Sequence, residues 1–254
     1  MPDSLIYHCT RQRAGDLVKE CRALRPRYKP DETALDHRAK AQLKKYQKCA
    51  VNRRQVDRLE IRLAILGPTG THYSLTYDNE HLPPDFLGVR RDLRAFLCRA
   101  RRWREGKPLD YAYAIEGLHG DHRLHIHFAA RYEDLSPVEM QHLWRNGQVE
   151  DEPVLLTHQY KDPSTGKWVE VCDGGYRRLA EYLNKERTDG VVIPIGRHPW
   201  SCSRHLNAQV LPPEVWMDSS NQIDIPSSAL WSRRSSMEND FGAYYYASWI
   251  DGTH

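Results

Sequence analysis

No stretch of the chain approaches the roughly 20 consecutive apolar residues that a membrane-spanning helix needs. The longest apolar runs, such as Leu63 to Leu66 and Val191 to Ile195, are far shorter, so no membrane span is expected. The opening residues MPDSLIYHCTRQR have no basic segment leading into an apolar one; no secretory signal is expected, and a cytoplasmic location is the expectation. The six cysteines, Cys9, Cys21, Cys49, Cys98, Cys172 and Cys202, form no C-x-x-C pair. That excludes a zinc ribbon or finger, and reduced thiols are expected. There is no G-x-x-x-x-G-K-[ST] segment to cradle a nucleotide phosphate and no internal repeat, so an ATPase or helicase part is not expected.

What is present is charge, unevenly placed. The 37 Lys+Arg and 34 Asp+Glu of the 254 residues give a net charge of +3. Residues 1–60 carry 15 basic and 8 acidic side chains, residues 61–130 carry 10 and 8, and residues 131–254 carry 12 and 18. The chain is therefore polarised, basic first and acidic last. Within the middle third, Arg90, Arg91, Arg94, Arg99, Arg101, Arg102 and Arg104 are interrupted by a single carboxylate, Asp92. Val89, Leu93, Phe96, Leu97, Ala100 and Trp103 recur among them at helical spacing, so one face packs and the rest is arginine. A solvated helix face is the plain reading. A phosphate-binding face is the alternative, because the guanidinium fork matches phosphate oxygens and no alternating acids offer intrahelical pairing.

The chain divides into a basic, mostly helical arm over 1–62, a core over 63–206 and a loop-rich extension over 207–254. Residues 1–30 read as irregular, and a long helical pattern from Asp31 stops at the turn Gly67 to Gly70. Strands are expected at Thr71–Asp78, Leu109–Glu116 and Leu124–Arg131, with the arginine helix after the first. Ser136 and Glu139 form a capping box for a further helix. A hairpin around the turn DPSTG, a helix from Gly175 and a strand at Trp200–Ser203 complete the core, and the extension ends in one strand. Antiparallel neighbours with helices packed on them give an α+β, ferredoxin-like or RRM-like sandwich.

Two constellations could carry chemistry. On a strand, His125 and His127 point to one side while Ile126 points to the other. Chance alone would give about 0.7 His-x-His pairs in a chain with this many histidines, so the pair gains weight only from context. Glu116 ends the preceding strand, and a short turn brings it beside them. Two imidazoles and a carboxylate with open positions suit Mg²⁺ or Mn²⁺ better than a closed zinc site. Tyr182 and Lys185 lie three apart on a helix and share a face. A phenol, with an ordinary pKa of about 10, needs a polarised phosphate and a nearby cation to act as a nucleophile at neutral pH; otherwise Tyr182 is an ordinary packed side chain.

Taken in order, GPTGTHYSLTYDNEHLPP, the arginine helix, AIEG, RLHIHFAA, EYLNKE and PWSCSRHL resemble the HUH endonucleases that initiate rolling-circle replication in small single-stranded DNA phages and related bacterial mobile elements. The resemblance runs from about Leu63 to Leu206. It implies an HUH nuclease core in which Thr71–Asp78, with Thr76, positions DNA, Glu116, His125 and His127 bind Mg²⁺ or Mn²⁺, and Tyr182 with Lys185 forms the nucleophile pair. The arginines of the helix and the basic arm would contact DNA. The second tyrosine that related phage initiators carry four residues earlier is here Arg178, and Tyr176 lies on another face of the helix, so a single-tyrosine mechanism is expected. The implied function is nicking and joining of single-stranded DNA at a replication origin through a 5′-phosphotyrosine, with a host polymerase and helicase as partners. The residues by themselves leave open a non-enzymatic DNA-binding regulator, a metal-dependent nuclease that uses water, and a relaxase or transposase of the same superfamily.

Overall fold

The computed structural model describes residues 5–24, 37–117, 123–154, 157–172, 175–184, 200–239 and 242–252. The protein is α+β, with two five-stranded antiparallel sheets. It divides into two compact units: one takes 55–156 and 175–210, the other 1–54, 157–174 and 211–254. No described helix is long and apolar enough to cross a membrane.

In the first unit the strands are β3 (Gly70–Leu75), β4 (Tyr111–Glu116), β5 (His125–Arg131), β6 (Val149–Pro153) and β9 (Trp200–Cys202), ordered β6-β3-β5-β4-β9. Alternation gives each strand two faces. Tyr73, Leu75, Ile115, Ile126 and Phe128 point to one of them and form a buried core with α2 (Phe86–Trp103) and α3 (Pro137–Leu143). Val89, Leu93, Phe96 and Ala100 are the buried stripe of α2, Leu97 is partly buried, and Trp103, expected on the same face, is half exposed instead. The Asp85 carboxylate accepts the Gly88 N–H at 2.9 Å to cap its start. Glu105 (φ 53°) and Gly106 (φ 81°) turn left-handed to end it. Ser136 and Glu139 make the expected capping box on α3.

The other sheet face carries His72, Ser74, Glu116, His125 and His127, the residues that alternate with this core. Over it lies α4 (Tyr176–Leu183), whose Tyr182 ring reaches His72 and His127. This helix is anchored to α1 (His37–Leu66), the second half of which belongs to the same unit. Arg177 Nη1 donates to Asp57 Oδ1 at 2.6 Å and Glu60 Oε2 at 3.3 Å, and its Nε donates to Glu181 Oε1 at 2.7 Å. Burial works against the Arg177 charge, but Glu60, Glu181 and Asp57 outweigh it and raise its pKa.

The second unit corrects three expectations. The hairpin around DPSTG belongs to it and not to the core. The N-terminal residues are not irregular: β1 (Tyr7–Ala14) and β2 (Leu17–Leu24) form a hairpin. The C-terminal extension supplies three strands rather than one: β10 (Glu214–Asp218), β11 (Trp231–Asn239) and β12 (Gly242–Ile250). All five share one sheet, ordered β10-β1-β2-β12-β11, so the supposed arm and tail are parts of one unit. Val18, Ile223, Ala247 and Trp249 make its core. Arg11 and Arg22 both pair with the buried Glu20 carboxylate, at 2.7 and 3.0 Å, so part of the basic charge assigned to a DNA-binding arm is neutralised inside the sheet. The hairpin β7 (Thr157–Lys161) and β8 (Trp168–Cys172) forms around the expected turn, where Asp162 accepts the Ser164 and Thr165 hydroxyls.

Candidate active site

Glu116 and His125 are direct partners in the β4–β5 register, and His127 follows one pleat further along β5. Register therefore brings the carboxylate alongside both imidazoles, as the antiparallel reading of the sequence requires. Glu116 Oε2 lies 2.6 Å from His127 Nε2 and 3.2 Å from His125 Nε2, and the two Nε2 atoms are 3.1 Å apart. Glu116 and His127 are buried, while His125 is more open, with a side chain 21% exposed. The cluster thus has one accessible side.

These separations are a test of fit. Neighbouring ligands of an octahedral ion at about 2.1 Å stand about 3.0 Å apart, and the three observed distances bracket that value. The donor set, two imidazoles and one carboxylate, suits a divalent cation. Glu116, His125 and His127 are a possible metal-binding triad.

Compared with protein-family models, curated proteins and solved structures, the chain matches none.

Beside the triad stands one residue the sequence did not single out, His72. His72 on β3 is buried, and its Nε2 is 3.0 Å from His127 Nδ1. Burial and the neighbouring His127 and His125 lower its pKa to about 4, so its ring is neutral near pH 7. Tyr182 stands edge-on to both rings, its centroid 5.0 Å from that of His127 and 6.1 Å from that of His72. It is 42% exposed, whereas Tyr176 at the start of the same helix is fully buried, as their angular separation on the helix anticipates. Tyr182 thus faces both the histidines and solvent. Lys185 lies outside the described residues.

The arginine helix packs on the opposite face of the sheet from this cluster. Arg90, Arg91, Arg94, Arg101 and Arg102 are exposed there. Two of the seven are committed to the fold. Arg99 Nε donates to the Leu143 carbonyl at 2.9 Å. Arg104 bridges the Asp134 carboxylate at 2.7 Å and the Pro108 carbonyl at 3.0 Å. Thr76 is committed as well: its hydroxyl donates to the Gln148 carbonyl at 3.0 Å, and its own carbonyl accepts from Trp144 Nε1 at 2.8 Å. The loop closing here needs Gly147, because a Cβ at that position would meet the Thr76 carbonyl oxygen at 2.3 Å.

A second polar cluster lies at the far end of β4. The buried Asp110 carboxylate accepts from Arg131 at 2.9 Å and Gln209 at 2.7 Å, and lies 2.7 Å from His205 Nδ1. Burial opposes its ionisation, but the hydrogen bonds from Gln209, His205 and Arg131 prevail and hold its pKa below the usual carboxylate value. Arg131 also donates to the Ile65 carbonyl at 2.8 Å, so this cluster joins α1 to the sheet.

Proposed function

We propose that the chain is a metal-dependent endonuclease of the HUH type that nicks and rejoins single-stranded DNA at an origin through Tyr182, as an initiator of rolling-circle replication. The observation that carries this reading is the Tyr182 ring, edge-on to His127 at 5.0 Å and part exposed, on the sheet face that bears Glu116 and His125. The strand, helix, strand, strand order of β3, α2, β4 and β5 agrees with the ferredoxin-like core of that class.

Glu116, His125 and His127 would hold Mg²⁺ or Mn²⁺, which supplies Lewis-acid polarisation of a phosphate oxygen. Tyr182 provides the attacking oxygen, positioned by an α4 that Arg177 ties to α1. Its Oη forms a bond to phosphorus as the bond to the 3′ oxygen breaks, and the proton given up by the phenol is regained by that oxygen. The products are a 5′-phosphotyrosine and a free 3′-OH. The adduct conserves the phosphodiester bond energy, so the same residue can rejoin strands without ATP. A host polymerase can extend the 3′-OH, and a host helicase would supply the unwinding. The five exposed arginines of α2 stand behind the sheet and would grip flanking DNA rather than the scissile phosphate.

The test is incubation with single-stranded origin-like oligonucleotides and Mn²⁺, followed by denaturing electrophoresis. A denaturation-resistant protein–DNA adduct is expected from the wild-type chain and not from Tyr182→Phe. Cleavage without an adduct would favour a water-using nuclease, and salt-sensitive binding without cleavage a DNA-binding regulator. Either result overturns the proposal.

A further inference from the structure

The two histidines of β5 are held differently. His125 Nδ1 lies 2.8 Å from the Arg123 carbonyl oxygen. A carbonyl only accepts, so Nδ1 carries the proton and the Nε2 lone pair turns toward Glu116 and His127. At His127 the corresponding place is taken by side chains of the neighbouring strand. His72 Nε2 stands 3.0 Å from His127 Nδ1, and Ser74 Oγ is 3.5 Å from the same atom.

The position of the His127 proton decides whether this residue is a ligand. An imidazole coordinates only through an unprotonated nitrogen, so His127 must carry its proton on Nδ1. Glu116 pulls the other way: its Oε2, 2.6 Å from His127 Nε2, would accept a proton held there and turn the lone pair away from the site. An acceptor at Nδ1 has to outweigh that attraction. Burial keeps bulk water from serving, since His72 and His127 are 8% and 3% exposed. Strand pairing fixes the arrangement. Ser74 is the direct partner of His127 across β3–β5, and His72 lies one pleat away on the same face, within diagonal reach of a long side chain.

The geometry points to His72 as a positioning residue that accepts the Nδ1–H of His127 and so presents the His127 Nε2 lone pair to the Glu116–His125–His127 site. Ser74, at the longer distance, is the weaker partner. This inference rests on the metal-site part of the function proposed above and is independent of the DNA chemistry. Partners in this role are generally worth about 10–100-fold in metal affinity.

The experiment measures Mn²⁺ affinity by calorimetry on the full chain without DNA, for the wild type, His72→Phe, His72→Gln and His127→Ala. Phe keeps an apolar ring in the buried place but removes the acceptor; Gln restores one. His72→Phe is expected to weaken Mn²⁺ binding about 10–100-fold and His72→Gln to recover most of the loss. Imidazole ¹⁵N shifts of the Mg²⁺-loaded wild type are expected to show His72 as acceptor and His127 protonated at Nδ1, and this reading holds even if the Phe variant does not fold. Wild-type affinity in His72→Phe, equal losses in the Phe and Gln variants, or a His72 Nε2 that carries the proton would each overturn the inference. His127→Ala separates the two levels: if it binds Mn²⁺ like the wild type, the metal site itself has failed. If it loses binding and His72→Phe does not, only the role of His72 has.

Discussion

Tyr182 stands edge-on to His127, with ring centroids 5.0 Å apart and planes at 74°, although one belongs to a helix and the other to a strand far from it in the chain. The phenol can therefore act beside the triad without belonging to it. Tyr182→Phe is expected to abolish the covalent DNA adduct while leaving Mn²⁺ affinity and oligonucleotide binding within a few-fold of the wild type. Denaturing gels and calorimetry separate the two effects, and a parallel loss of metal binding would place Tyr182 among the ligands.

Metal binding should also be visible as stability. Saturation with Mn²⁺ at about 100 times its dissociation constant adds about 2.7 kcal/mol to the folded state. A thermal melt of the wild-type chain is expected to shift upward on adding Mn²⁺ and to return on chelation. Glu116→Ala and His127→Ala should abolish the shift.

Arg177 connects the helix bearing Tyr182 to α1 by pairing with Asp57 and the almost fully buried Glu60. Arg177→Ala leaves Glu60 buried without that counter-charge and is expected to cost about 3–5 kcal/mol. Denaturant titration measures it. Adding Glu60→Gln should recover part of the loss, because the buried charge is then gone.

Asp110 predicts the acid behaviour of this unit. Its folded pKa is lowered from an ordinary value of 3.8, so the unfolded chain binds its proton first as the pH falls. The stabilisation is fully present above about pH 4 and is lost as the pH drops through the lower folded pKa. Asp110→Asn is expected to cost roughly 2–3 kcal/mol at neutral pH, since the charge-assisted bonds from Arg131 and Gln209 weaken. It should also flatten the pH dependence of denaturation below pH 4.

The six arginines of α2 and Arg104 at its C-cap should separate into two classes. Neutralising two of the exposed ones, for example Arg90 and Arg94, is expected to lower the slope of log affinity against log salt by up to about 0.7 per lost contact on single strands, with little effect on stability. Arg99→Ala and Arg104→Ala should instead lower stability, because their guanidiniums hold the Leu143, Pro108 and Asp134 backbone and side-chain groups.

Much of the site was legible because it obeys local periods. A two-residue strand repeat puts His125 and His127 on one face, and a short β4–β5 connection puts Glu116 beside them. The capping box at Ser136, the stripe of α2 and the placement of Tyr176 away from Tyr182 follow from the same short-range rules. His72 was not legible. It is one residue inside a strand pattern whose importance depends on which strand pairs with β5 and in what register. Arg177 and Asp110 were missed for a similar reason: a lone charged residue on a helix or at a strand start gives no sign of the partners that bury it.

The sequence by itself determined β3, β4, β5, α2, α3 and α4 of the core, though not its edge strand β6, together with the pairing of chemical groups within each strand and helix and the excess of arginine on α2, because these repeat with the backbone's own geometry. Only the tertiary structure decided that α2 packs on the sheet face opposite His125 and His127, and that residues 7–24 and 214–250 build one sheet rather than an arm and a tail. Those outcomes rest on hydrogen bonds and apolar contacts between segments distant in the chain, and no local pattern specifies such partners.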